Sequence, residues 1–338
     1  MSMVEIGEIT LARIKANAAA LQGSVRRTPV AALDTPLVHR ALGGGTVMLK
    51  LECFQHTGTF KARGALSNAR AIPQDKQASG ITAASAGNHA IAAAWAAGIC
   101  GLSAKVVMQN NANPFRIERA RAEGAEVVLK APGAETFTEA ERLARDEERT
   151  FIHPFEGVGT ILGSASVGLE FMEQVPDLEA VIVTVGGGGL ISGIAAAIKQ
   201  INPACMVYGV EPEGAASMSR SLEEGAPATL DKVDTIADSL GAPMALPLGH
   251  ALCTAYVDRI VTVSDDAICA GMVIFQQDAK LAVEPAAGAA LAGLFGPLRK
   301  DLQGKRVGVI VCGANIDAAT YAGQLLRGAD HLAALTNF

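Results

Sequence analysis

Residues 180–201 read AVIVTVGGGGLISGIAAAIKQI and join a hydrophobic strand to a helix through four consecutive glycines, Gly186 to Gly189. An almost wholly hydrophobic run of this length is typical of a strand buried on both faces, as in a parallel sheet. Because glycine has no side chain, the N–H groups of such a turn can converge on a phosphate at the helix start. The segment lacks the GxGxxG pattern, and no Lys-Ser/Thr pair follows it. Neither a dinucleotide site nor a P-loop is therefore indicated.

Short β-branched runs alternate with longer alanine-rich stretches along the rest of the chain. Helices are expected in most of the gaps, because parallel strands need crossover connections. The pattern predicts an α/β fold with mostly parallel open sheets flanked by helices. The predicted strands are residues 47–52, 81–84, 105–108, 126–129, 180–185, 207–210 and 307–312.

The length of the chain, 338 residues, predicts two domains, since single hydrophobic cores stop growing at about 250 to 300 residues. Residues 73–157 contain strand and helix units of their own. We expect this segment to form a small, mobile α/β domain. Residues 1–72 and 158–338 are then expected to form the large domain.

The composition argues for a small-molecule partner. A net charge of −6 gives no reason to expect nucleic acid or a membrane, because both attract basic surfaces. Glu5 and Glu8 stand where a secretory signal would carry positive charge, and the longest hydrophobic run is residues 90–100. A membrane span needs roughly 18 hydrophobic residues. The six cysteines show no metal-site spacing, so we expect a cytoplasmic enzyme with reduced thiols.

Residues 50–64 read KLECFQHTGTFKARG and place Lys61 between a turn and a predicted helix over 62–71. An ammonium at a helix N-terminus faces the positive end of the helix dipole, which lowers its pKa. An amine with a lowered pKa is a better nucleophile toward an aldehyde than a surface lysine is. Lys61 is therefore a candidate for covalent catalysis. For this residue alone, a solvated lysine on an exposed helix face is the alternative.

Two further strand ends carry candidate binding residues. Residues 83–90 read AASAGNHA and open a predicted helix near 88–98, so Ser85, Asn88 and the loop amides are suited to a carboxylate. A helix cap without a ligand is the alternative. Cys312 ends the predicted strand 307–312, and open parallel sheets bind ligands beyond the carboxyl ends of their strands. Its thiol is suited to a weak hydrogen bond with a ring nitrogen. A role as a small buried hydrophobic residue is the alternative and is equally open.

Taken together, these segments resemble the threonine/serine dehydratase and serine racemase branch of the fold-type II, tryptophan-synthase-β-like enzymes that use pyridoxal 5'-phosphate (PLP). The resemblance runs from Arg27 to Asn315 and includes residues 235–238 and 284–285. It implies a two-domain α/β fold of this type, with PLP as the cofactor. It also implies an amino-acid substrate and a homodimer.

The resemblance implies roles for individual residues. Lys61 matches the lysine that forms a Schiff base with the cofactor and later takes the α-proton, and Phe60 matches the residue beside the ring. Asn88 matches the residue that bonds the pyridine hydroxyl, and Cys312 matches the Ser or Cys at the pyridine nitrogen. The positions that match the phosphate site are Gly186, Gly187, Gly188, Gly189 and Leu190. The positions that match the substrate carboxylate site, which we call the carboxylate loop, are Ser85, Ala86, Gly87, Asn88 and His89.

Three features depart from the family pattern. Ala86 stands where serine racemases carry a second acid/base, so proton exchange on both faces lacks one partner. Relatives bind a divalent cation at positions matching Glu211, Ala215 and Ser217, and Ser217 replaces a carboxylate. A hard cation needs several oxygens, so we expect a weak or absent metal site. Ser239 stands where many dehydratases have glycine, which indicates an altered substrate pocket.

The resemblance predicts a dehydratase, or ammonia-lyase, that removes water from a β-hydroxy L-amino acid of the L-threonine or L-serine type. The products would be a 2-oxo acid and ammonia. Phenylserine and 3-hydroxyaspartate are open as alternative substrates, and racemisation is the alternative reaction, which Ala86 disfavours. A non-catalytic binding protein is a third interpretation, disfavoured because the lysine, the glycine turn and the carboxylate loop occur together.

Overall fold

The computed structural model describes residues 6–85, 87–131 and 134–338. Its strands form two separate sheets. Their bounds are β1 Val30–Ala32, β2 Thr46–Lys50, β3 Ile81–Ser85, β4 Ala104–Gln109, β5 Glu126–Lys130, β6 Thr150–Phe151, β7 Ala180–Thr184, β8 Met206–Pro212, β9 Arg259–Val263 and β10 Arg306–Ile310.

The larger sheet has the strand order β1-β2-β10-β7-β8-β9. β1 pairs antiparallel with β2, and the other neighbours in this sheet are parallel. All five residues of the central strand β7 are buried, which explains why its sequence is nearly all hydrophobic. The mostly parallel α/β architecture predicted from the sequence is confirmed.

The smaller sheet has the order β5-β4-β3-β6 and is parallel throughout. Its strands lie between residues 81 and 151, inside the segment 73–157 that the sequence predicts as a small domain. Each sheet packs against a hydrophobic cluster of its own. The domain bounds and the mobility of the smaller unit stay predictions.

Helices connect the strands and pack against both sheets. Within the described residues, none is long and hydrophobic enough to cross a membrane. Their bounds are Leu11–Leu21, Pro36–Leu42, Lys61–Arg70, Asn88–Ile99, Pro114–Ala122, Ala134–Asp146, Val158–Gln174, Gly189–Ile201, Ser217–Glu224, Pro247–Tyr256, Asp265–Ile274, Pro285–Phe295 and Ala318–Thr336.

Three strands are not among those predicted from the sequence, namely β1, β6 and β9. β1 has three residues and β6 has two, so neither is long enough to show a periodic pattern. β9 is an edge strand of the sequence RIVTV, whose β-branched residues are a strand signal. Of these three strands, only β9 therefore carries a strand signal in its sequence.

A buried ionic cluster fixes the helix that begins at Lys61. Arg63 is fully buried, and its guanidinium pairs with Glu52 at 2.9 Å and with Glu170 at 2.7 Å. Lys50 Nζ donates to Glu170 Oε2 at 2.9 Å. Removing one partner of such a buried pair costs about 3 to 5 kcal/mol, because the other charge stays desolvated. The cluster therefore holds the first turn of this helix in one position.

Candidate active site

A cavity of about 690 Å³ is lined by residues of both sheets and their connections. Its wall includes the last residues of β3, β4 and β7 and the residue Cys312, which follows β10. Open parallel sheets bind ligands at this edge. Ala86 lies outside the described residues. The other predicted site residues all line the cavity: Phe60, Lys61, Ser85, Gly87, Asn88, His89, Gly186, Gly187, Gly188, Gly189, Leu190 and Cys312.

Lys61 is the first residue of its helix and lines the cavity. Its Nζ donates a hydrogen bond to Pro154 O at 2.9 Å and lies 5.0 Å from the centre of the Phe60 ring. Burial lowers the pKa of Lys61 from 10.5 to about 8, and Glu284 and Cys312 oppose this change. The prediction from sequence assigned the shift to the helix dipole, but burial is the largest cause. The amine therefore loses its proton more readily than that of a surface lysine.

The glycine turn leaves no room for side chains. A Cβ on Gly187 would lie 2.3 Å from Phe155 Cδ2, and one on Gly189 would lie 2.6 Å from Phe155 O. Gly188 has a φ of +90°, a left-handed conformation that residues with a Cβ rarely adopt. Gly188 is also the N-cap of the helix Gly189–Ile201 and has no side chain with which to cap it. The first N–H groups of this helix are therefore suited to an anion.

The residues present fit PLP. The glycine turn offers N–H groups for its phosphate, and the Lys61 amine offers a nucleophile for its aldehyde. Cys312 offers a neutral thiol, because burial raises its pKa to about 12. Cys312 Sγ lies 3.6 Å from Thr184 Oγ1, so the thiol is held at the end of the central strands.

The carboxylate loop follows β3. Ser85 Oγ accepts a hydrogen bond from Gly87 N at 2.9 Å. His89 Nε2 lies 2.8 Å from Ile152 O, and because a carbonyl only accepts, Nε2 carries the hydrogen. Burial, aided by the nearby charge of Lys61, lowers the pKa of His89 to about 3. His89 is therefore neutral at physiological pH and brings no positive charge to the loop.

Two charged cavity residues, Arg116 and Glu284, received no role from the sequence. Asn88 Nδ2 donates to Glu284 Oε1 at 2.8 Å and to Oε2 at 3.0 Å. Arg116 Nε donates to Asn315 O at 2.9 Å, and its guanidinium pairs with Asp238 at 2.5 Å. Glu284 and Asn315 belong to segments that carry the resemblance, so a signal for them existed. Arg116 lies on the helix Pro114–Ala122, beside the smaller sheet, and no sequence motif marks it.

At the positions where relatives bind a cation, Glu211 serves as a helix cap. Its carboxylate accepts from Met218 N at 2.8 Å and from Ser219 N and Oγ at 2.9 and 2.6 Å. Burial raises the pKa of Glu211 to about 7. Among the described residues there is no cluster of three or more His, Cys, Asp or Glu side chains that could hold a metal ion. Weak or absent metal binding stays a prediction.

Comparisons with known proteins place the chain in a family. A family model described as pyridoxal-phosphate dependent enzyme matches residues 21–313. Phenylserine dehydratase of Ralstonia pickettii is 46% identical over 96% of this chain and 100% of that protein. L-threonine ammonia-lyase of Thermotoga maritima is 38% identical over 91% of this chain and 76% of that protein.

A solved structure agrees with these matches. Maize serine racemase has a TM-score of 0.87 to this chain, at 32% identity, and the match covers 95% of this chain and 98% of that one. The family match spans Lys61, the carboxylate loop, the glycine turn and Cys312. The chain therefore belongs to the pyridoxal-phosphate dependent enzymes, in the fold-type II branch that includes threonine dehydratases and serine racemases.

Proposed function

We propose that this enzyme is a dehydratase (ammonia-lyase) that converts a β-hydroxy L-amino acid into a 2-oxo acid and ammonia. The observation that carries the proposal is the buried Lys61 amine, with its pKa near 8, in one cavity with the glycine turn. The dehydratase and ammonia-lyase relatives, which match over at least 91% of this chain, support it.

The chain's residues divide the work as follows. When bound, PLP supplies an electron sink that acidifies the α-hydrogen of an attached amino acid. Lys61 Nζ, weakly basic and buried, is the group that takes this proton. The N–H groups of the glycine turn hold the phosphate, and the loop that begins at Ser85 holds the substrate carboxylate. Cys312 would offer the pyridine nitrogen a neutral thiol, which would not keep the ring protonated.

One part of the remaining cavity wall is hydrophobic and suits a substrate with a hydrophobic β-substituent. Phe137, Leu230, Pro243 and Met244 form this part and have no role in holding the cofactor, whereas Gln109, Glu141 and Asp231 line another part. Leu230 N donates to Pro243 O at 2.7 Å, which ties the two segments of this wall together. We therefore propose phenylserine as a better substrate than L-serine. The 46% identity to a phenylserine dehydratase supports this choice.

A racemase is the second candidate, since a serine racemase matches over 95% of this chain. Lys61 reaches one face of the planar carbon that remains when the α-proton leaves. Inversion needs a donor on the opposite face. Ala86 stands at that donor's position in the sequence and has no hydroxyl, so we propose that racemisation is slow.

Product analysis tests the reaction and the substrate together. L-threonine, L-serine, phenylserine and 3-hydroxyaspartate are each incubated with the enzyme, and the 2-oxo acid and any inverted amino acid are measured. Burial of a phenyl-sized group is worth about 1.5 to 3 kcal/mol, so kcat/KM for phenylserine should exceed that for L-serine by roughly tenfold or more. Met244→Ser should reduce this preference, whereas Leu326→Ser, at a 73% exposed residue, should not.

Two outcomes would count against the proposal. Comparable yields of 2-oxo acid and inverted amino acid would mean that another residue supplies the second proton. Equal kcat/KM for phenylserine and L-serine would mean that the wall at Met244 does not contact the substrate. Ala86→Ser should raise the inverted fraction, which links the outcome to this position.

We also propose that the enzyme is a homodimer, as the resemblance to its family implies. Light scattering of the purified protein measures this directly. A monomer at micromolar concentration would contradict the proposal. The cytoplasmic location is likewise a proposal, supported by the net charge of −6 and the scattered cysteines; cell fractionation tests it.

A further inference from the structure

A buried polar network joins the helix Pro114–Ala122, beside the smaller sheet, to Asp238, Glu284 and Asn315. Its centre is the carboxylate of Glu284, which is 2% exposed, and Arg116, which is 4% exposed. Asn315 Nδ2 donates to Asn88 Oδ1 at 2.8 Å, and Asn315 N donates to Glu284 Oε2 at 3.0 Å. Each of these side chains therefore depends on the orientation of the others.

The hydrogen bonds to Glu284 are those of an ionised carboxylate. Within the described part of the chain, its hydrogen-bond partners are Asn88 Nδ2, on both oxygens, and Asn315 N, and all of them are N–H donors. Arg116 completes the surroundings with a guanidinium nitrogen 3.7 Å from Glu284 Oε2. An acid hydrogen on Glu284 would therefore point at another donor. Protonation would force the Asn88 amide to turn and lose its bond from Asn315.

We propose that Arg116 is a positioning residue: it keeps Glu284 ionised, and the ionised carboxylate holds the Asn88 amide in the orientation that binds the cofactor. The inference rests on the proposed role of Asn88 at the pyridine hydroxyl. Arg116 would act through Glu284 and Asn88 and would not contact the reacting atoms.

The charges around Glu284 support this function. Burial raises its pKa, the charge of Arg116 and the Asn88 hydrogen bond oppose the rise, and Asp238 adds to it. Arg116 is therefore the cation that opposes the effects of burial and of Asp238 on the Glu284 carboxylate. Among the described residues, Lys61, Cys312 and Cys53 are further titratable groups that interact with Glu284.

A guanidinium suits this position better than an ammonium. Nε of Arg116 bonds Asn315 O, and its two terminal nitrogens face Asp238 and Glu284 separately. The planar fork can satisfy three directions at once, whereas a lysine is a single point charge. The stem is also confined, because a Cβ on Gly87 would lie 2.3 Å from Arg116 Cδ. Arg116 is thus packed against the carboxylate loop while its charge faces Glu284.

The test uses the PLP-bound enzyme and four variants. Arg116→Met removes the charge, and Arg116→Lys keeps the charge without the fork. The double variant Arg116→Met/Glu284→Gln removes both charges and so leaves no buried carboxylate without its cation. It replaces Arg116→Met in the test if that variant does not fold. Arg119→Met, at an exposed arginine one turn along the same helix, is the matched control.

Infrared spectra of each variant report whether Glu284 is protonated. Because Glu211, with a pKa of about 7, gives a neutral-carboxyl band in every variant at neutral pH, the comparison is made on difference spectra against the parent. We expect an additional neutral-carboxyl band in Arg116→Met that is missing from the difference spectra of Arg119→Met and of the double variant. The proposal requires ionised Glu284 for activity. In a plot of kcat/KM against pH, the acid limb of Arg116→Met should therefore lie at higher pH than that of the parent. The expected shift is about 1 to 3 units, the usual effect of one nearby charge. Arg116→Lys should show a smaller shift.

The proposal fails if Arg116→Met shows no neutral-carboxyl band beyond that of the parent and its acid limb lies at the parent's pH. It also fails if that variant binds PLP as tightly as Arg119→Met, because Asn88 would then be correctly placed without the arginine. Should Arg116→Met not fold, PLP binding by Arg116→Met/Glu284→Gln as tight as that of Arg119→Met overturns the proposal, because Asn88 would then be correctly placed without the ionised carboxylate. The spectra and the cofactor titration use no substrate, so they distinguish this failure from a failure of the proposed dehydratase reaction.

Discussion

Replacing Gly189 with alanine should weaken cofactor binding, because the new methyl group would meet backbone atoms. An ideal Cβ at this position lies 2.6 Å from Phe155 O and 2.8 Å from Phe155 Cα. This backbone cannot rotate aside as a side chain can, and it continues from Pro154 O, which accepts from Lys61 Nζ at 2.9 Å. The turn relieves the clash only by moving the amides that we assign to the phosphate. Binding must then restore them.

The size of the effect follows from the packing. Forcing an extra methyl group into a filled site costs about 1 to 3 kcal/mol, so the dissociation constant of PLP should rise about 5- to 140-fold. Gly187→Ala should have a smaller effect, because the obstacle there is the ring of Phe155, which can move. Titration of the cofactor-free protein with PLP, followed by the absorbance of bound cofactor, measures both.

Gly98→Ala is the matched control, because no described atom lies within 4 Å of the added Cβ and the residue is helical. It should bind PLP as the parent does. A dissociation constant for Gly189→Ala within about twofold of the parent's, well below the range expected for overpacking, would refute the assignment of this turn to the phosphate.

Three further predictions concern pH, the thiol and metal ions. Because the pKa of Lys61 is about 8, PLP should attach to the cofactor-free protein faster as pH rises through this value, since only the neutral amine attacks. A rate that does not change with pH would contradict the assignment. Cys312→Ser should keep most activity, whereas Cys312→Asp should lose about tenfold or more, which is a barrier higher by about 1.4 kcal/mol, because a carboxylate would keep the ring protonated; equal kcat values for the two variants would refute this argument. Chelation should leave kcat nearly unchanged, because Glu211 already bonds Met218 and Ser219. A large loss restored by magnesium or calcium would reveal a metal site.

The parts of the fold and site that were predictable are those specified by local sequence. The glycine turn was predictable because the hydrophobic strand, the four glycines and the helix follow one another directly in the chain. Lys61 was predictable for the same reason, because its turn and helix are contiguous in the chain. The main parallel strands were predicted within one or two residues at most ends.

The parts that were not predictable depend on contacts between distant segments. The lowered pKa of Lys61 is mainly an effect of burial, which a local pattern cannot reveal. Arg116 and Glu284 meet only because the two sheets pack together, and neither residue has a local motif for an ion pair. The helix cap at Glu211 likewise needs the fold to bring it to Met218 N.

The most direct test of the account is the identity of the lysine that bonds PLP. The purified enzyme is reduced with borohydride, digested, and the labelled peptide is sequenced by mass spectrometry. We expect the label on Lys61, because this amine is buried in the cavity and its pKa is lowered to about 8. Lys50, which is buried and paired with Glu170, is an internal comparison and should stay unlabelled. Label on Lys50, or on any lysine other than Lys61, would contradict the central claim.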